Sequence, residues 1–101
     1  MNQEPSTLYA KLLGETASIR WKELERFYAQ GALLWVDPGL DLIAVAEAVA
    51  SDEGEKVAAW LAAEKVAKLS ETRALDIFGR DPEMWAVVVR PWILIQERAT
   101  E

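Results

Sequence analysis

The sequence predicts an α+β fold: a single small domain over residues 1–101, with helices packed on a mainly antiparallel sheet of three to four strands. Three observations predict it. Helix-like and strand-like hydropathy periods follow one another without strict alternation, in the order helix, helix, strand, helix, helix, strand, helix, strand, strand. The densest apolar segment, residues 84–96, is dominated by β-branched and aromatic side chains, which suit a pleated, half-buried surface. The chain has 101 residues, 51% of them hydrophobic, which is enough for one core and short for two.

Each element has a local reason. Residues 1–6 are polar and are expected to fray. Leu8, Leu12, Leu13 and Ala17 then recur at helical spacing with Tyr9 alongside, and Ser6 or Thr7 caps the start. Gly14 weakens that helix by about 1 kcal/mol relative to alanine. A second helix is expected over 19–30, with Ser18 as N-cap and Ile19, Leu24, Phe27 and Tyr28 as its buried stripe, Trp21 at the border. Gly31 stands where a C′ glycine belongs. One long bent helix over 6–30 is the alternative. Residues 32–36 are apolar throughout and read as a central strand. Asp37-Pro38-Gly39 is a turn, since proline presets φ and glycine tolerates the next position.

Residues 41–50 follow as a helix capped by Asp41, with Leu42, Val45, Ala46 and Val49 on one stripe; a strand from Leu40 is the lesser alternative. After a polar break at 51–55, Val57, Trp60 and Leu61 mark a short amphipathic helix. Residues 66–69 read as a short strand with Lys65 and Lys68 as edge charges. Ser70 caps a helix over 71–78, with Ala74, Leu75 and Phe78 inward and Gly79 ending it. The charged tail from Glu97 is expected to fray.

The 84–96 stretch sets the problem that the rest must solve. As one straight strand, at roughly 3.3 Å per residue, it spans about 43 Å. A domain of this size has a radius of gyration of only about 13 Å. The Arg90-Pro91 pair interrupts it, and proline lacks the N–H a ladder needs. Two strand halves, 84–89 and 92–96, joined by a kink or bulge are therefore expected. A two-residue hairpin is disfavoured, because Arg-Pro does not supply positive φ angles. In this arrangement Trp85 and Trp92 fall on opposite faces, and one small core struggles to cover both.

Composition excludes several functions. The formal net charge is −6 and the basic residues are scattered, so no basic face offers itself to nucleic acid. Without histidine or cysteine, the usual nucleophilic triads, disulfides and thiolate metal sites are ruled out. The serines are better explained as caps and turn formers. No apolar run approaches the roughly 18 residues of a membrane span, and the start shows no leader pattern, so no membrane partner is expected and the cytoplasm is the default location. The glycines are isolated at element ends and form no phosphate-binding loop. No cofactor and no metal is expected; an acidic run at Asp52, Glu53 and Glu55 reads as a solvated turn rather than a calcium loop.

What remains are candidates of a different kind. Arg90 in an apolar strand needs a partner or an exit to water. It is either an exposed edge residue or the grip on a carboxylate or other anion. Trp85 and Trp92 belong to an unusual set of five tryptophans, which either pack the core or line a partner surface. Gln96 can bond along an exposed strand edge. Asp41, with Asp37 across the Pro-Gly turn, is either a helix cap beside a turn former or a carboxylate pair.

Several segments also carry a resemblance: Trp21-Lys22-Glu23-Leu24, Gly31-Ala32-Leu33-Leu34-Trp35-Val36-Asp37-Pro38, Leu40-Asp41-Leu42 and Pro91-Trp92-Ile93-Leu94-Ile95-Gln96. Over about residues 8–96 the chain resembles the bacterial domain of unknown function 2288 family. The resemblance implies a bacterial cytoplasmic protein and transfers no activity or site residue. Two functional readings follow. The first is a non-catalytic protein–protein interaction or adaptor module that self-associates as a homodimer, because the apolar ribbon needs cover. The alternative is a small anionic-ligand binding protein or minor enzyme using Arg90 with Asp37 and Asp41.

Overall fold

A five-stranded sheet separates two layers of helices in the computed structural model, which describes residues 7–98. The elements are α1 (Thr7–Glu15), β1 (Ala17–Ile19), α2 (Trp21–Ala29), β2 (Leu33–Val36), α3 (Leu42–Ala50), α4 (Gly54–Ala62), β3 (Val66–Lys68), α5 (Glu71–Arg80), β4 (Met84–Val89) and β5 (Trp92–Glu97). The strand order is β1-β4-β5-β2-β3. Three pairings are antiparallel and β2 runs parallel to β5, Leu33 opposite Ile93 and Trp35 opposite Ile95. The α+β class and the mainly antiparallel sheet are as expected, but the sheet has five strands instead of three or four.

The additional strand is β1. Residues 17–19 are too few to show a period of two, and the sequence reading absorbed them into helices on either side. They pair with Met84–Ala86. Ser18, expected as an N-cap, lies in that strand and its hydroxyl donates to Glu83. Arg20 occupies the N-cap position instead, and its N–H donates to Glu23 Oε1 at 3.4 Å. The region from 7 to 30 is therefore two helices with a strand between them.

The 84–96 stretch folds back on itself. β4 and β5 form an antiparallel hairpin, Met84 opposite Glu97 and Val89 opposite Trp92, with Arg90 and Pro91 as its two-residue turn. The Arg90–Pro91 peptide is cis. A cis proline at the third turn position reverses the chain without a positive φ, which is the route the sequence reading left out. Folding in half brings the ribbon inside a molecule 48 Å long and 27 Å across, with a radius of gyration of 13.6 Å. β4 lies between β1 and β5, and β5 between β4 and β2, but β1 faces only Met84–Ala86, so Val87–Val89 have no neighbouring strand on that side among the described residues.

The reversal also changes the faces. Trp85, Val87 and Val89 from β4 share a face with Trp92 and Leu94 from β5, and α1, α3 and α4 cover it. Met84, Ala86 and Ile95 face the other way, against α2 and α5. The two tryptophans thus lie on one face, not opposite faces, and both are half-buried. β2 is buried at all four positions, as a strand between two helical layers must be.

Helix ends follow their caps. Asp41 Oδ1 accepts from Ile43 N at 2.9 Å and Ala44 N at 3.3 Å, starting α3. Ser70 Oγ accepts from Arg73 N, starting α5. Gly31, with φ +71°, takes the left-handed position after α2. Gly79 does not end α5. The helix continues to Arg80 and stops at Asp81, which is itself left-handed at φ 48°. Of the ends expected to fray, residues 1–6 and 99–101 lie outside the described residues. Arg98 is held: its N–H donates to Glu83 O, its guanidinium pairs with Glu83 at 2.8 Å and stacks 4.4 Å from the Trp85 ring.

Candidate functional site

The structure gathers three of the five sequence candidates. Asp41, Trp85 and Gln96 line an open groove of about 380 Å³ between α1, the start of α3 and the β4–β5 sheet, together with Leu13, Thr16, Leu40, Leu42 and Ile43. The Asp41 carboxylate and the Gln96 amide nitrogen are already employed. Gln96 is buried in an interior strand, not on an edge, and its amide donates to Asp37 O at 2.9 Å and Leu40 O at 2.7 Å. It fastens the turn between β2 and α3 to β5. Asp37 accepts from Gly39 N at 2.8 Å through its side chain and from Leu40 N through its carbonyl, as a turn former does. Asp41 caps α3 with one oxygen and accepts from the Tyr9 hydroxyl at 2.8 Å with the other. That bond, followed by burial and the nearby Asp41 and Glu47 charges, raises the Tyr9 phenol above its ordinary value.

Arg90 and Trp92 are elsewhere. Arg90 is exposed at the hairpin tip, five positions along β4 from Trp85, roughly 16 Å away at strand rise. It is not brought to Asp37 or Asp41, and no cation among the described residues lines the groove. Trp92 follows the turn and packs on the α3 side of the sheet, with Lys68 Nζ 6.0 Å from its ring.

The more prominent surface feature was misassigned from sequence. α5 was expected to turn Ala74, Leu75 and Phe78 inward. Ala74 and Ile77 are buried instead, while Leu75 is 64% and Phe78 61% exposed. Ala74, Leu75, Ile77 and Phe78 span an arc of about 160° at 100° per residue, and a helix lying on a sheet buries only part of so wide an arc. The width of that apolar arc was the available signal. Leu75 and Phe78 form one wall of a groove of about 350 Å³ between α5 and α2. Trp21 and Tyr28 stand across it, their rings 5.7 Å apart at 51°. Glu25 and Glu71 lie on its rims, and Lys22 and Asp81 at the end near Phe78. Glu25 and Glu71 form no ion pair with any described residue, whereas Asp81 is bridged to Arg20 at 3.3 Å.

Among the described residues no helix is long and apolar enough to cross a membrane. No curated protein matches the chain. A solved structure does: the NMR solution structure of PA1075 from Pseudomonas aeruginosa is 60% identical, with a TM-score of 0.82 over 99% of this chain and 93% of that one. A family model matches residues 7–97. The α+β architecture and this match agree, and the chain belongs to the family described as Protein of unknown function (DUF2288).

Proposed function

We propose that the protein is a non-catalytic protein–protein interaction module whose contact surface is the α2–α5 groove. The observation that carries this reading is the exposure of Leu75 and Phe78 side by side over an aromatic floor. Large apolar side chains clustered on a surface mark contact sites, whereas scattered ones do not. The alternative, an anionic-ligand protein or minor enzyme built on Arg90, has less support: Arg90 is remote from Asp37 and Asp41, and both carboxylates are engaged in turn and cap.

An interaction surface of this kind has two classes of occupant, a second copy or a different chain. The homodimer reading rests on a ribbon that needs cover, and in the folded hairpin Trp85 and Trp92 are half-buried and Val88 is 52% exposed. Capture from a lysate of the native host tests the module reading. The wild-type chain should retain a protein that a Leu75→Ser/Phe78→Ser variant loses. Equal capture by both would sink it. Sedimentation of the purified chain separates self-association from a foreign partner.

A further inference from the structure

We infer that the α2–α5 groove receives a basic amphipathic helix from another protein, an inference that rests on the interaction reading and names its partner. The shape comes first. Phe78 and Asp81, at the end of α5, stand beside Trp21 and Lys22, at the start of α2, and Arg20 bridges Asp81, while Tyr28, Ala29 and Glu71 line the groove farther on, so the two helices run antiparallel. The nine residues of α2 extend about 13.5 Å, the length of two to three helical turns. A third helix laid along such a pair seats apolar residues at i, i+3, i+4 and i+7 between the ridges.

Charge then chooses among occupants. The rims hold Glu25 and Glu71 without a cationic partner among the described residues, and the chain carries −6 in all. A second copy brings −6 against −6. An anionic membrane surface is repelled for the same reason. A helix with leucines on one side and lysines or arginines along its flanks meets both requirements: it covers Leu75 and Phe78 and pairs the two glutamates.

The test uses a designed probe and the full chain. A capped peptide of about 14 residues, leucines at helical spacing and lysines elsewhere, is titrated into ¹⁵N-labelled protein. A control peptide carries glutamate in place of lysine. The lysine peptide should shift the Trp21 indole and the backbone of residues 71–78, and its affinity should fall several-fold between about 50 mM and about 300 mM salt. Phe78→Ser should weaken it at least tenfold, and Glu25→Gln with Glu71→Gln several-fold, with the remaining spectrum unchanged. Equal binding of both peptides, shifts centred on the Trp85 groove, or no shifts would overturn the inference. So would shifts in α2 and α5 that appear on concentrating the protein alone. If the lysate experiment still depends on Leu75 and Phe78 while the lysine peptide fails, the interaction reading survives and the basic helix does not.

Discussion

Gln96 shows how a single residue decides between a site and a scaffold. Its two amide hydrogens go to the carbonyls of Asp37 and Leu40, which joins the β2–α3 turn to β5. Gln96→Met keeps the size and removes both donors, which takes the amide from the Leu40 carbonyl and leaves the Asp37 carbonyl only the Leu40 N–H. Urea unfolding should show a loss of about 1–3 kcal/mol. Tyr9 offers a pH test. Its phenol is raised mainly because it donates to Asp41, so the folded value exceeds the unfolded one. The stability this contact adds is full below the unfolded tyrosine value and is lost as pH rises through the folded one. In a Tyr28→Phe background, Asp41→Asn should lower the Tyr9 midpoint read by ultraviolet absorbance, because the carboxylate charge is gone. An unmoved midpoint would mean the hydroxyl is not held by Asp41.

At the scale of elements, the β4–β5 hairpin and α5 make opposite predictions for similar substitutions. Leu94 is 0% exposed in the middle of the sheet, so Leu94→Ala should cost about 2–5 kcal/mol of stability. Leu75 is apolar too but faces water, and Leu75→Ala should change the thermal midpoint little. Should both cost the same, α5 is rotated from the orientation described. The tie between α5 and β5 is electrostatic as well as apolar: Arg80 bridges Asp76 and Glu97, each at 2.6 Å. Hydrogen bonding to Arg80 holds the Asp76 carboxyl below its usual range. Its contribution is therefore present above the unfolded carboxylate value and lost as pH falls through the folded one, and Arg80→Met should flatten the acid limb of stability against pH.

For the whole molecule, the consequence of folding the ribbon in half is that most of it lies between neighbouring strands. The edges are β1 and β3, three residues each, with Val87–Val89 of β4 uncovered beyond β1. Such short edges offer little template for strand addition. The surface proposed for a partner is the outer side of the α2–α5 layer. A purified chain is expected to sediment as a monomer at micromolar concentration, with Leu75→Ser/Phe78→Ser indistinguishable from it in mass and fold. A wild-type dimer dissolved by those substitutions would replace the foreign helix with a second copy.

The sequence by itself determined the elements whose cause is local. Asp41 and Ser70 cap because their oxygens reach N–H groups two or three residues on, Gly31 accepts the left-handed position, and an all-apolar β2 must lie between layers. The family likeness was legible too, in segments around Trp21, Trp35 and Trp92. Tertiary structure alone decided the rest. Three residues at β1 have no period to read, the reversal at Arg90-Pro91 swaps which side chains share a face, and Leu75 and Phe78 are exposed because α5 had more apolar arc than the sheet had room to cover. Each of these depends on what lies across space from the residue, and hydropathy along a chain records only what lies beside it.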